Sequence, residues 1–357
     1  MVAAGGTGGH LYPALAVAER FRELVADGSV TFVGTDRGLE SRIVPKHGFP
    51  LELVRAQPMR GGSVGRKLKG LFGLIQGMMD ARKLLKRLRP SVVMGLGAYV
   101  SGTVLLAAAL RGTPTLILEP NAEPGLANKW LGPFVDVAAC AWEETARYFG
   151  ARAVVTGNPV RQSILEVPPL APAGDSMRVL VFGGSQGSSA LNRAMTGSLS
   201  RLDAFADRLE IFHQTGPDDY EPVREAYAEH AIPARVTRYI DAMDEAYAAS
   251  DLVVARAGAT TCAELTACGR PSLLVPLELA GGHQEANAEM LGRAGAARWI
   301  RQSELTPERL SAEILGLLDA AREREAMAKR ALSLARPEAT TSVAERLVEL
   351  SRRGGAA

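Results

Sequence analysis

The sequence predicts two α/β domains, each built on a parallel sheet. Three observations carry the prediction. A glycine-rich turn occurs twice, half a chain apart: Gly5-Gly6-Thr7-Gly8-Gly9-His10 near the start and Gly183-Gly184-Ser185-Gln186-Gly187 in the middle of 357 residues. Each turn follows short apolar residues, Val2-Ala3-Ala4 and Val179-Leu180-Val181-Phe182, and each leads into a helix-like run. Strand-like and helix-like segments then alternate through both halves, the pattern of a parallel sheet whose ligands collect at the carboxyl ends of its strands. The length suits two domains of about 150–180 residues.

In the first half, residues 13–25 read as a helix with apolar Leu15, Ala16, Ala18 and Leu24, and residues 29–33 as a strand. Residues 91–94 form a strand that ends in a further cluster, Gly95-Leu96-Gly97-Ala98-Tyr99-Val100-Ser101-Gly102. Residues 115–118 form an apolar strand ending at Glu119-Pro120-Asn121. The segment 164–177 holds Pro168, Pro169, Pro172 and Gly174 without a clear period and reads as an interdomain linker. In the second half, strands fall at 179–182, 210–214, 252–255 and 272–276, and helices at 189–201, 243–249, 262–268 and 284–294. A last helix, about 340–352, follows Pro337.

The three cysteines (Cys140, Cys262, Cys268) form no C-x-x-C pair or disulfide framework, which fits a reducing compartment. The histidines make no zinc spacing, no D-x-D pair awaits a metal diphosphate, and no cofactor is expected. The longest strongly apolar run, 103–110, is far too short to span a bilayer. The chain opens directly in strand residues, so no signal peptide is expected. That opening strand is about four residues long, which points to residues upstream of the given start.

Neither glycine turn is a Walker loop or a G-x-G-x-x-G fingerprint. Glycines do let backbone N–H groups approach a phosphate, and a helix N-terminus adds favourable partial charge. Two such turns suit an enzyme that holds two phosphorylated substrates in facing domains. His10 closes the first turn and is either a structural hydrogen-bonding residue or a base that titrates near neutrality. In Arg256-Ala257-Gly258-Ala259-Thr260-Thr261-Cys262-Ala263-Glu264, Thr261 and Glu264 match a capping box. The functional alternative is that backbone 258–261 holds a diphosphate while Glu264 accepts bonds from both ribose hydroxyls, having two oxygens for two vicinal donors. Gln284 or Asn287, in Gly281-Gly282-His283-Gln284-Glu285-Ala286-Asn287, would meet a sugar.

The clearest charge anomaly runs from Arg66 to Arg89. It holds Arg66, Lys67, Lys69, Arg82, Lys83, Lys86, Arg87 and Arg89 against Asp80 alone, a local +7 in a chain of net +2. Apolar residues from Leu68 to Met79 lie between the basic ends, while Gly70, Gly73 and Gly77 weaken a plain helix. This pattern suits an anionic membrane surface better than a core-facing helix alone. Nucleic acid is disfavoured, since the patch has one aromatic residue and no motif.

At these residues the chain resembles the MurG family of bacterial glycosyltransferases, which add N-acetylglucosamine to lipid I to make lipid II for peptidoglycan. The shared motifs are Gly5 through Ala14, Val44-Pro45-Lys46-His47-Gly48, Tyr99-Val100-Ser101-Gly102, Asn128-Lys129-Trp130, Gly157-Asn158-Pro159-Val160-Arg161, the second glycine turn and the 257–264 loop. The resemblance spans essentially the whole chain. It implies a GT-B fold of two Rossmann-like domains facing across a cleft: residues 1–162 for lipid I and the membrane, a linker at 163–177, residues 178–336 for UDP-GlcNAc, and a C-terminal helix, 337–357, returning to the first domain. It puts UDP-GlcNAc contacts on Thr7, Gly8, Gly9, Asn121, Arg161, Ser185, Ile240 (through its backbone to uracil), Ala259, Thr260, Thr261, Glu264 and Gln284. The acceptor diphosphate falls to Gly97, Tyr99, Ser101 and Gly102, and the catalytic candidates are His10 and Glu119.

Three departures stand out. Leu118-Glu119-Pro120-Asn121 replaces the family's frequent His-Glu-Gln-Asn, which leaves Glu119 without a histidine beside it. Gly97-Ala98-Tyr99 replaces Gly-Gly-Tyr, and the acid often found before the 283–284 pair is missing. The resulting expectation is a metal-independent, inverting hexosyltransferase, peripheral on the cytoplasmic face of the membrane, that attaches GlcNAc to the muramyl C4 hydroxyl of lipid I. The alternatives are a UDP-GlcNAc 2-epimerase of the same fold, which needs no membrane patch, and a non-catalytic nucleotide- or lipid-binding subunit.

Overall fold

The computed structural model describes the chain except residues 6–7, 36–37, 56–63, 173, 279–280 and 355–357; of residues 8, 64–72, 74 and 98–99 it describes the backbone alone. The chain forms two compact units, residues 1–161 with 336–357, and residues 162–335.

The first unit alternates strand and helix. β1 (Val2–Ala3), α1 (Gly8–Leu24), β2 (Phe32–Gly34), α2 (Glu40–Lys46), β3 (Leu51–Leu53), α3 (Val64–Leu88), β4 (Val93–Gly95) and α4 (Ala98–Leu110) come first. β5 (Thr115–Glu119), α5 (Leu126–Leu131), β6 (Val137–Cys140), α6 (Glu143–Ala146) and β7 (Ala153–Val155) follow. Among the described residues, seven parallel strands lie in the order β3-β2-β1-β4-β5-β6-β7. Val2 pairs with both Phe32 and Met94, so the first strand is central although it is two residues long. α3, α4 and α5 cover one face, burying Leu84, Leu85, Val104, Leu105 and Leu131.

The second unit holds α7 (Gln162–Leu165), β8 (Met177–Phe182), α8 (Ser189–Leu202), β9 (Leu209–Gln214), α9 (Tyr220–Ala228), β10 (Ala234–Thr237), α10 (Met243–Ala248) and β11 (Leu252–Ala255). It continues with α11 (Ala259–Ala267), β12 (Ser272–Leu274), α12 (His283–Arg293), β13 (Ala297–Trp299), α13 (Pro307–Leu318) and α14 (Ala321–Ser333). Its described sheet is β10-β9-β8-β11-β12-β13, all parallel. α8 and α13 pack against one face over a core that includes Val179, Val181, Leu199 and Ile314. The segment read as a linker begins in α7, where Ile164 is fully buried, and the Pro168 carbonyl accepts from Arg270 Nη2 at 2.9 Å.

The last helix, α15 (Ala339–Gly354), belongs to the first unit, where it packs on α1. Val343, Ala344, Leu347 and Leu350 share one helical face and join the core formed by Leu11, Ala14, Leu15 and Ala18. On α3 the glycines do not interrupt the helix, which runs 25 residues without a break. Gly77 has a positive use, because a Cβ there would come within 2.9 Å of the Arg55 carbonyl.

A buried histidine makes the second unit acid-sensitive. His213 is fully buried between Tyr227 and Asn192. The Asn192 amide N–H₂ is committed to the Thr215 carbonyl and Asp219, so its oxygen accepts from His213 Nε2 and the Tyr227 hydroxyl donates to Nδ1. Burial pushes the imidazole pKa down to about 3. Below pH 6.5 the unfolded chain takes a proton that the folded one refuses, and stability falls by about 1.4 kcal/mol per pH unit until the folded value is reached. Denaturant unfolding of the second unit is therefore expected to lose about 2 kcal/mol between pH 6.5 and 5 from this group. His213→Gln should show a correspondingly shallower slope.

Candidate active site

In both sheets the strand order reverses beside the first strand of the unit: between β1 and β4, and between β8 and β11. Loops diverge at such a point and leave room for a ligand at the carboxyl ends of the strands. Both glycine turns sit there. A cavity of about 350 Å³ lined by Phe21, Val30, Arg89, Val92 and Leu347 lies at the opposite, amino-terminal edge of the first sheet, away from the candidate catalytic and substrate-binding residues.

In the second unit the turn after β8 is held by backbone packing. Gly184 and Gly187 have φ of +88° and +75°, and a Cβ on Gly187 would stand 1.9 Å from the Thr215 carbonyl oxygen. Only glycine satisfies both demands. Gln214 Nε2 donates to the Gly184 carbonyl at 3.1 Å, and Ser188 caps α8 by accepting from Leu191 N–H at 3.3 Å. Ser185 and Gln186 are left exposed at the tip.

The loop after β11 corrects the capping-box reading. The helix begins at Ala259, its N-cap is the extended Gly258, and no side chain caps it. Thr261 thus lies inside the first turn, and Glu264 lies within the helix, 6% exposed, accepting from the Tyr247 hydroxyl at 3.0 Å. Ala259, Thr260 and Thr261 are half-buried at the helix start. Arg256 braces the loop by donating to the Val275 and Pro276 carbonyls and to Gln302 Oε1. Asn287, fully buried, donates to the Ala257 carbonyl at 3.1 Å and so braces the loop. Gln284 sits in the first turn of α12, its Oε1 accepting from Leu277 N–H at 2.9 Å. Ile240 is 7% exposed in the segment after β10.

In the first unit Thr7 lies outside the described residues, while Gly8 and Gly9 open α1 and half-buried His10 follows in its first turn. After β4, Gly97 at φ +83° is the N-cap of α4, again without a side-chain cap. Ala98 therefore has helical backbone, and its replacement of the family glycine costs nothing in conformation. Tyr99 is in the helix, and Gly102 has open space where a Cβ would stand. Ser101 is fully buried, with its Oγ 2.0 Å from where a Gly95 Cβ would be and without a hydrogen-bond partner among the described residues.

Glu119 also differs from expectation. It is 1% exposed, and four N–H donors converge on it. Asn121 N–H and Nδ2 reach Oε1, both at 3.0 Å; Gly125 N–H and Asn128 Nδ2 reach Oε2, both at 2.9 Å. A carboxylate so saturated orders the 119–128 loop and has no lone pair aimed at a substrate proton. Asn121 is held by this carboxylate, and Arg161 lies 5.4 Å from the Tyr12 ring. Glu40 is a residue the sequence gave no reason to select. It is fully buried, accepts from Thr35 N–H and Oγ1, and is wedged against Gly5, Gly34 and Gly38.

Two Rossmann-like sheets with glycine turns and uncapped helix starts at their switch points define a nucleotide-binding, two-domain enzyme class of GT-B type. The comparisons place it further. Residues 1–140 match the glycosyltransferase family 28 N-terminal domain, and residues 178–346 match the family 28 C-terminal domain. The chain belongs to glycosyltransferase family 28.

Among its relatives is the UDP-N-acetylglucosamine–N-acetylmuramyl-(pentapeptide) pyrophosphoryl-undecaprenol N-acetylglucosamine transferase of Myxococcus xanthus (strain DK1622). It is 44% identical over 353 residues, covering 98% of this chain and 92% of the relative. The Syntrophotalea carbinolica (strain DSM 2380 / NBRC 103641 / GraBd1) protein of the same name is 42% identical, covering 99% and 98%. The crystal structure of Acinetobacter baumannii MurG superposes with a TM-score of 0.79 at 33% identity, covering 98% of each chain. The UDP-GlcNAc 2-epimerase from Neisseria meningitidis shares the fold at TM-score 0.68 but only 12% identity, covering 98% of this chain and 99% of that one.

Proposed function

We propose that this chain transfers N-acetylglucosamine from UDP-GlcNAc to the muramyl C4 hydroxyl of lipid I, giving lipid II for peptidoglycan. Near-full-length relatives that carry this activity in their name favour transfer over epimerisation. The observation that carries the donor assignment is the start of α11, with a glycine N-cap, no capping side chain and a buried glutamate within the helix. Its backbone N–H groups suit a diphosphate, and Glu264 suits the two ribose hydroxyls. Ser185 and Gln284 complete this side, with Gln284 offering its N–H₂ because its oxygen is taken. In the first unit, His10 and the Gly97 N-terminus of α4 serve the acceptor and its diphosphate.

In the reaction, His10 takes the proton of the C4 hydroxyl while that oxygen forms a bond to the anomeric carbon. The bond from that carbon to the UDP oxygen breaks with inversion, and helix-terminal N–H groups stabilise the charge that UDP carries away. The test is radiolabel transfer from UDP-GlcNAc to a short-chain lipid I analogue, with and without chelator. Label in the disaccharide product is expected in both arms. A labelled nucleotide epimer, or no product, overturns the reading.

The lipid acceptor calls for a bilayer, and α3 supplies the contact. Among the described residues, no helix is long and apolar enough to cross a membrane. Along α3, Ala81, Leu84 and Leu85 are buried, whereas Ile75 and Met79 are 51% and 52% exposed, followed by exposed Arg82, Lys83 and Lys86. Asp80, the one acid of the segment, is paired with Arg55 at 2.8 Å, while Arg87 is paired with Glu52 at 2.6 Å. Each cation near an anionic surface adds about 1 kcal/mol of attraction. Reversing Lys67, Lys69, Lys83 and Lys86 to Glu is expected to abolish co-sedimentation with anionic vesicles while sparing activity on a water-soluble acceptor. Equal binding of the parent to neutral and anionic vesicles would show that charge plays no part. The chain then works as a peripheral enzyme on the cytoplasmic face.

A further inference from the structure

Resting on the reading of Glu264 as the ribose ligand, we propose that Tyr247 is its positioning residue, setting the carboxylate to recognise the ribose hydroxyls of the nucleotide. Tyr247 is fully buried on α10, and its hydroxyl donates to Glu264 Oε2 at 3.0 Å. Its ring stands edge-on to Phe182, with centroids 6.2 Å apart, and Phe182 is the last residue of β8 before the glycine turn. Its carbonyl accepts from Arg270 Nε at 2.7 Å and Ser250 Oγ at 3.0 Å. Arg270 is itself 1% exposed and pinned to the Cys268 and Pro168 carbonyls.

The phenol is thus anchored by its ring to one strand-end loop and by its backbone to a buried guanidinium, and it hands that rigidity to the helix of the other loop. A glutamate side chain left to itself spreads over several rotamers, and ordering it on binding costs affinity. The Tyr247 bond selects one rotamer beforehand. A carboxylate offers about four lone-pair positions in all, and this bond takes one of them. The arrangement therefore favours a ribonucleotide over its 2′-deoxy counterpart.

The test uses the full chain and calorimetric titration with UDP and with 2′-deoxy-UDP. The parent is expected to prefer UDP, and Glu264→Gln to lose most of that preference; a Glu264→Gln variant that discriminates like the parent overturns the ribose reading itself. Tyr247→Phe keeps the ring against Phe182 and removes only the hydroxyl. It is expected to weaken UDP about three- to tenfold, leave 2′-deoxy-UDP nearly unchanged, and keep kcat at saturating donor near the parental value. If Glu264→Gln loses the preference while Tyr247→Phe keeps it, or if Tyr247→Phe weakens both nucleotides equally, the positioning role is overturned. In the Glu264→Gln background, adding Tyr247→Phe should cost UDP binding nothing more, whereas additive losses count against the proposal.

Discussion

Replacing His10 by alanine is expected to lower kcat by about 10²–10⁴-fold, the range a positioned general base supplies, while leaving UDP affinity intact. His10 is in the first turn of α1, directly after β1 and beside the switch point of its sheet. Imidazole is the side chain whose ordinary chemistry best suits accepting a proton during turnover. The split between kcat and donor binding is the diagnostic, because the proposed UDP contacts of the second unit are untouched. Glu119 cannot stand in, since both its oxygens are occupied by loop donors. A folded His10→Ala enzyme with more than a tenth of parental kcat removes His10 from the mechanism.

Glu264→Gln should act on affinity rather than turnover. Hydrogen bonds to a charged acceptor are worth about 1.5–3 kcal/mol, or roughly 10–150-fold in binding. Donor KM should rise by that factor, and UDP titration should show the same loss. The starting geometry sharpens the expectation: Gly258 is the N-cap and Glu264 lies beyond the first helical turn, so loss of a cap cannot account for the effect. UDP bound as tightly by the variant as by the parent would reduce Glu264 to a partner of Tyr247.

The architecture was legible in the sequence because glycine turns after apolar runs report backbone demands that few other residues meet. Gly187 shows this well, needing both a positive φ and room against the Thr215 carbonyl. What escaped has physical reasons. β3 and β10 are half-exposed edge strands of three and four residues, too short to show an apolar run. α1 was expected to begin at Pro13, which favours a first-turn position; it begins at Gly8 and passes through the proline. The capping-box pattern misled because it looks for a capping side chain, and this helix starts on a glycine. Glu119 carries the right chemistry in the right loop, but only its burial and partners show that it faces inward. Tyr247 and Glu40 had no signal at all, since each acts on residues distant in sequence.

The wedge made by Glu40 has a consequence for how this part of the molecule can change over time. A Cβ on Gly38 would meet the Glu40 carboxylate at 1.9 Å, one on Gly34 would meet its Cγ at 2.4 Å, and one on Gly5 would meet Oε1 at 3.0 Å. While Glu40 remains, Gly34 and Gly38 are closed to any larger residue and Gly5 has little slack. If Glu40 shortens first, all three open together, but Thr35 then loses its acceptor. The order of substitution is therefore constrained: the harmful step must precede the permitted ones. Lineages that keep the acid are therefore expected to keep Gly34 and Gly38.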